Sequence, residues 1–141
     1  MDTPILTEDV IKTLEEGFSA LKDDVSIKIF TKKGQNDKFN EFTVNLINEL
    51  RAIAPKIKPE FFKLGSDEAK RYNVEMSPTI LLAPDTYNIR YMGAPIGEEG
   101  RSFITALILL STGRQLLSED SIKRLERLKD KRRVRIFVSP T

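Results

Sequence analysis

Apolar residues along this chain recur in two rhythms. Val10, Ile11, Leu14, Phe18 and Leu21 follow one another at helical spacing and give a single apolar face. Thr7 ahead of Glu8 and Asp9 supplies a hydroxyl cap and acids that complement the helix dipole, and Asp23-Asp24 ends the element. Val25-Ser26-Ile27-Lys28-Ile29-Phe30 alternates with period two, which predicts a strand. After the polar loop Lys32-Lys33-Gly34-Gln35-Asn36-Asp37-Lys38, the residues Phe39, Phe42, Thr43, Leu46, Ile47 and Leu50 return to helical spacing. Pro55 and Pro59 bracket the connection into a second strand, Glu60-Phe61-Phe62-Lys63-Leu64. Ser66 caps a short helix that ends near Tyr72-Asn73.

Pro78 stands at the entrance of a third strand over residues 79–83, where the missing backbone donor is tolerated. Pro84-Asp85 turns the chain into a fourth strand over residues 88–92. Gly93-Ala94-Pro95-Ile96-Gly97 makes a tight connection to a helix running from Glu98 to Gly113. The order is helix, β-α-β, short helix, β-β, helix. A parallel βαβ unit joined to a hairpin, with helices on both faces, is the economical α/β packing for it.

Composition narrows the chemistry. With 141 residues, 40% apolar and 31% charged, the chain is long enough for one globular domain with a core of ordinary size. A net charge of +2 exerts no strong pull toward nucleic acid or acidic membranes. There is no cysteine and no histidine, which removes disulfides, thiolate nucleophiles, the common zinc sites and histidine-dependent proton relays. No EF-hand spacing is present, and neither a metal nor a cofactor is expected. The N-terminus lacks a signal-peptide pattern and the longest apolar run, residues 104–110, is too short to span a bilayer, so a cytoplasmic protein is expected. Abundant Lys and Glu suit a thermophile.

Residues 114–141 repeat the opening of the chain. Ser118-Glu119-Asp120-Ser121-Ile122-Lys123-Arg124-Leu125-Glu126 matches the nine residues from Thr7 to Glu15 at six positions. Val134-Arg135-Ile136-Phe137 then echoes Ile27-Lys28-Ile29-Phe30, with the spacing shortened by four. Such self-similarity indicates a duplicated structural unit. The expected division is a first unit over residues 1–113, then a linker, a helix and the first strand of a truncated second unit over residues 114–141.

The segment Met76-Ser77-Pro78-Thr79-Ile80-Leu81-Leu82, the stretch Arg90-Tyr91-Met92-Gly93-Ala94-Pro95-Ile96-Gly97 and this tandem layout resemble families built from two fused thioredoxin-fold units. One is the glutaredoxin-like protein disulfide oxidoreductase family. The other is the N-terminal domain of the flavoprotein subunit of alkyl hydroperoxide reductase. The resemblance implies a thioredoxin-like fold with a cis proline at Pro78. It places the family's C-x-x-C on Asn36-Asp37-Lys38-Phe39, so the positions of the two thiols fall on Asn36 and Phe39 and dithiol exchange is lost. Ser77 and Pro78 are then candidate peptide-binding residues, because thioredoxins hold extended substrates against the backbone before the cis proline.

Each site has a plainer reading beside it. Asn36 is expected as a helix cap, with Phe39 filling core space. The basic side chains Lys129, Lys131, Arg132, Arg133 and Arg135 read as a solvated run rather than a phosphate-binding patch. The function these observations imply is a redox-silent N-terminal unit, acting as the scaffold or partner-binding half for thiol–disulfide exchange carried out by a following unit. The alternatives are an independent adaptor for extended peptides and the docking domain of a peroxide-reductase flavoprotein. The expected partners are a protein or peptide and a second thioredoxin-fold unit in cis, with no nucleic acid and no membrane. Weak self-association through the unpaired last strand is also expected, opposed by Arg132, Arg133 and Arg135.

Overall fold

The computed structural model describes residues 4–139. Its elements run α1 (Glu8–Phe18), β1 (Val25–Thr31), α2 (Asp37–Ile53), β2 (Ile57–Lys63), α3 (Asp67–Arg71), β3 (Thr79–Leu82), β4 (Ile89–Met92), α4 (Glu98–Thr112) and α5 (Glu119–Glu126). The four strands form one mixed sheet in the order β2-β1-β3-β4. β1 pairs in parallel with β2, while β3 is antiparallel to both β1 and β4. This is the βαβ unit plus hairpin that the apolar rhythm predicts.

Period-two alternation gives the sheet two unequal faces. On one, Ile27, Ile29, Ile57, Ile80 and Leu82 are buried against Leu46, Ile47 and Leu50 of α2 and Phe103 and Leu107 of α4. Each such side chain stabilises the fold by about 1.5–3 kcal/mol. The helix α1 closes this layer through Phe18 and the following Leu21. On the opposite face Phe30 and Leu81 pack with Ala69 and Val74 under the single short helix α3. Ser111 of α4 fastens the turn between α1 and β1: its hydroxyl donates to the Asp23 carbonyl at 2.6 Å and accepts from the Lys22 N–H at 3.0 Å. The chain leaves this layer at Gly113, whose φ of +66° ends α4 in a left-handed cap.

Four local expectations are corrected. Thr7 stands at the start of α1, but its side chain makes no capping bond; its backbone carbonyl accepts from the Ile11 N–H at 2.9 Å. α1 stops at Phe18, where the Ser19 hydroxyl turns back onto the Glu16 carbonyl at 2.6 Å. β2 starts at Ile57 and carries Pro59 inside it, opposite Ile27. That is possible because β2 is an edge strand, where a missing donor disturbs no second neighbour. Finally, residues 134–138 form no ladder although their alternation is that of a strand. A strand exists only with a pairing partner, and among the described residues no strand pairs with them. Ser66 and Ser118 do cap α3 and α5, accepting from the Ala69 and Ser121 N–H groups. Pro140 and Thr141, and the first three residues, lie outside the described residues.

Candidate functional site

The loop between β1 and α2 meets the segment before β3 in a closed set of hydrogen bonds. Asn36 takes a left-handed conformation (φ 58°), which Asn tolerates better than most residues. Its carbonyl accepts from the Phe39 and Asn40 N–H groups, both at 2.9 Å, and so opens α2. Its side chain does not cap the helix; the amide donates across to the Ser77 carbonyl at 2.8 Å. One turn on, Asn40 is buried and acts as the hub. Its amide nitrogen donates to the Lys32 and Gln35 carbonyls at 3.0 and 2.8 Å, and its amide oxygen accepts from the Ser77 hydroxyl at 2.7 Å. That hydroxyl in turn accepts from the Lys32 N–H at 2.7 Å. Gly34 closes the outer side of the loop by donating to the Asp37 carboxylate at 2.7 Å.

The Ser77–Pro78 peptide bond is cis, and the Pro78 carbonyl accepts from the Gly93 N–H at 2.9 Å. Ser77 is fully buried, with both its hydroxyl and its carbonyl engaged inside the chain. The structure thus brings Asn36, Ser77 and Pro78 together and leaves Phe39 apart. Phe39 does not fill core space: it is 42% exposed, because the inward position on this turn of α2 belongs to Asn40. Met76, next to Ser77, is 40% exposed. Sequence reasoning misses the Asn40 hub, because a polar residue on a helix beside Phe39 and Phe42 carries no distinguishing signal.

The motif Arg90-Tyr91 proves structural. The Arg90 guanidinium donates to the Tyr72 and Asn73 carbonyls and ties β4 to the end of α3. The Tyr91 ring packs edge-on against Phe103, centroids 5.1 Å apart. A separate charged cluster lies on the α3 face of the sheet. The buried Lys28 ammonium sits 3.0 Å from Glu60 and 3.2 Å from Glu68, over the Phe62 ring at 4.9 Å. Burial pulls the Lys28 pKa down, but hydrogen bonds and charge from Glu60 and Glu68 outweigh it, and the net shift is upward. Glu99, in the first turn of α4, is pushed up by burial. The basic side chains of residues 129–135 are all exposed.

A four-stranded mixed sheet in this order, a parallel βαβ unit joined to an antiparallel hairpin with helices on both faces, defines a thioredoxin-like fold. Solved structures bear the similarity out. One is a protein disulfide oxidoreductase from Aeropyrum pernix K1, with 25% identity and a TM-score of 0.73 over 87% of this chain and 55% of that one. Another is the alkylhydroperoxide reductase AhpF from Enterococcus faecalis V583, as a C503A mutant, with 22% identity and a TM-score of 0.74 over 87% of this chain and 61% of that one. The N-terminal N/C domain of the same reductase gives 22% identity and 0.72 over 85% of this chain and 59% of that one. The chain therefore spans little more than half the length of these structures. No protein-family model matches it, and no curated protein does. Among the described residues no helix is long and apolar enough to cross a membrane.

Proposed function

We propose that this chain is a redox-silent thioredoxin-fold unit, serving as the scaffold or partner-binding half of a two-unit arrangement whose thiol chemistry belongs to the second unit. One observation carries the reading. The loop that the resemblance assigns to the dithiol contains no thiol and is tied shut by Asn36, Asn40 and Ser77. A thiolate at a helix N-terminus is what thiol–disulfide exchange needs, and an amide neither attacks a disulfide nor leaves one. The similarity to a protein disulfide oxidoreductase and to a reductase N-terminal domain, both considerably longer than this chain, supports a role beside a catalytic unit.

Partner contact in this reading is made by exposed apolar side chains flanking the closed loop, Phe39 and Met76, rather than by the Ser77 backbone. Ser77 is fully buried and its carbonyl already accepts from the Asn36 amide, so its backbone is not open to an extended peptide in this conformation. The test is reduction of insulin disulfides by the full chain with dithiothreitol as reductant. The expected rate equals the blank without protein. A protein-dependent rate that survives removal of contaminating thiol proteins overturns the proposal.

A further inference from the structure

β1 lies between β2 and β3, so one side of the β2 backbone has no strand beside it. The Val25 N–H bonds the Lys56 carbonyl and the Leu64 N–H the Thr31 carbonyl, both at 2.8 Å. In that phase of the parallel ladder Lys58, Glu60 and Phe62 direct their backbone groups to β1, while Ile57, Pro59, Phe61 and Lys63 direct theirs outward. Pro59 has no N–H to offer. The Ile57 N–H is taken by the Ala54 carbonyl, and the Lys63 carbonyl accepts from the Ser66 N–H. The open edge is therefore short: the Ile57 and Pro59 carbonyls, both groups of Phe61 and the Lys63 N–H. The Phe61 side chain beside it is 41% exposed.

The charges along this edge say what fits against it. Between residues 51 and 63 the exposed cations are Arg51, Lys56, Lys58 and Lys63, and the one acid, Glu60, is already held by the Lys28 ammonium at 3.0 Å. None of these four cations has an ion pair or side-chain hydrogen bond among the described residues. Lys58 and Lys63 stand on opposite faces of the strand. Lys32 and Lys33, exposed just beyond Thr31, extend the row, because Thr31 is in register with Lys63. Arg51, Pro55, Lys58 and Pro59 line an open cleft of about 380 Å³ at its other end. Lysines and a proline on an edge repel a copy of the same strand. An acidic strand meets opposite charge instead. We infer that the outer edge of β2 docks a short, extended acidic peptide, which adds a strand beside Phe61 and sets carboxylates against Arg51, Lys58 and Lys63. A peptide fits better than single-stranded nucleic acid, since the edge presents backbone donors and acceptors at strand spacing and one exposed ring rather than a stacking series. The edge uses neither Phe39 nor Met76, and its occupancy does not depend on the missing thiols.

The test is fluorescence anisotropy of the full chain with a labelled nonapeptide, glutamates around one central valine. A Kd of roughly 100 micromolar is expected for so small a surface, weakening as salt is raised. The same peptide with glutamine in place of glutamate binds at least about tenfold more weakly. Lys58→Glu with Lys63→Glu lowers the affinity for the acidic peptide by a similar factor while the far-ultraviolet circular dichroism is unchanged. N-methylation of alternate peptide residues abolishes binding in one phase and spares it in the other, because only every second N–H of an added strand faces β2. Absence of binding up to about one millimolar, equal binding by the glutamine peptide or by the lysine variant, or equal loss in both methylated phases each overturns the inference. So does tighter binding of a single-stranded oligonucleotide at the same lysines, or a dimer of the chain that Lys58→Glu disrupts, since either gives this edge another occupant.

Discussion

The Asn36 side-chain amide donates to the Ser77 carbonyl at 2.8 Å, across 41 residues of sequence. With Asn40 and the Ser77 hydroxyl it joins the end of β1, the start of α2 and the entrance of β3 into one block. The junction of these three elements is held by neutral hydrogen bonds. These bonds make the loop a structural element, and its energetics can be measured.

Ser77→Ala removes the hydroxyl that accepts from the Lys32 N–H and donates to Asn40. It leaves two groups in a largely buried setting without partners. A loss of about 2–3 kcal/mol is expected in equilibrium urea unfolding. Asn40→Asp is isosteric but replaces two donated bonds with a carboxylate facing the Lys32 and Gln35 carbonyls. Burial and those carbonyls raise the pKa of an acid placed there above its unfolded value of about 3.9. The stability that this variant loses relative to the parent is then smallest at low pH, and grows as pH rises from the unfolded toward the folded pKa. A flat pH profile for that difference would show that the hub is open to water.

Lys28 is the second test. Lys28→Met removes the cation 3.2 Å from Glu68 Oε2, an atom with no hydrogen-bond partner of its own, and leaves Glu68 only the Arg71 guanidinium, 3.5 Å from its other carboxylate oxygen. Destabilisation of about 1–3 kcal/mol is expected, partly relieved by adding Glu68→Gln. The Lys28 pKa is raised on folding, so its contribution is fully present below the unfolded value near 10.5 and is lost as pH rises through the folded one. The parent should therefore lose stability at strongly alkaline pH faster than Lys28→Met does. Thermal melting across that pH range checks it.

Glu49 clamps the chain ahead of α1 to α2. Its two carboxylate oxygens accept from the Ile5 and Leu6 N–H groups at 2.8 and 2.9 Å. Hydrogen bonds to a charged group are worth about 1.5–3 kcal/mol each before the backbone relaxes into water. In Glu49→Ala, hydrogen exchange should accelerate at Ile5, Leu6 and the first turn of α1, with α2 and the sheet unaffected. Uniform acceleration across the domain would mean that this clamp is part of the global folding unit.

The division of the chain is tested by deletion. Residues 130–138 bury no side chain against the folded unit, so removing residues 130–141 should shift the melting temperature by less than about 2 °C. A large loss would mean that the tail completes this unit's own sheet, and the boundary at Gly113 would be wrong.

What the sequence determines by itself is local and periodic. The spacing of Leu46, Ile47 and Leu50 makes one helix face, and the alternation through Ile27 and Ile29 makes one strand face. Hydroxyls at Ser66 and Ser118 and the glycine at Gly113 mark helix ends by chemistry that acts within one turn. The lack of cysteine and histidine removes whole classes of reaction whatever the fold. Tertiary structure decides everything that depends on a partner far along the chain. Thr7 has the right residue type and position to cap α1, yet its hydroxyl makes no such bond. Asn36 turns to Ser77 instead of capping α2, because a carbonyl 41 residues away lies within reach of its amide. Phe39 stays outside and Asn40 goes inside, since the facing surface at that turn offers two carbonyls and a hydroxyl rather than an apolar pocket. Lys28 alternates as a polar position should, but Glu60 beside it in the sheet and Glu68 on α3 make its burial tolerable. And residues 134–138 have the pattern of a strand without being one: side-chain alternation is written in the sequence, while a ladder is a relation between two segments.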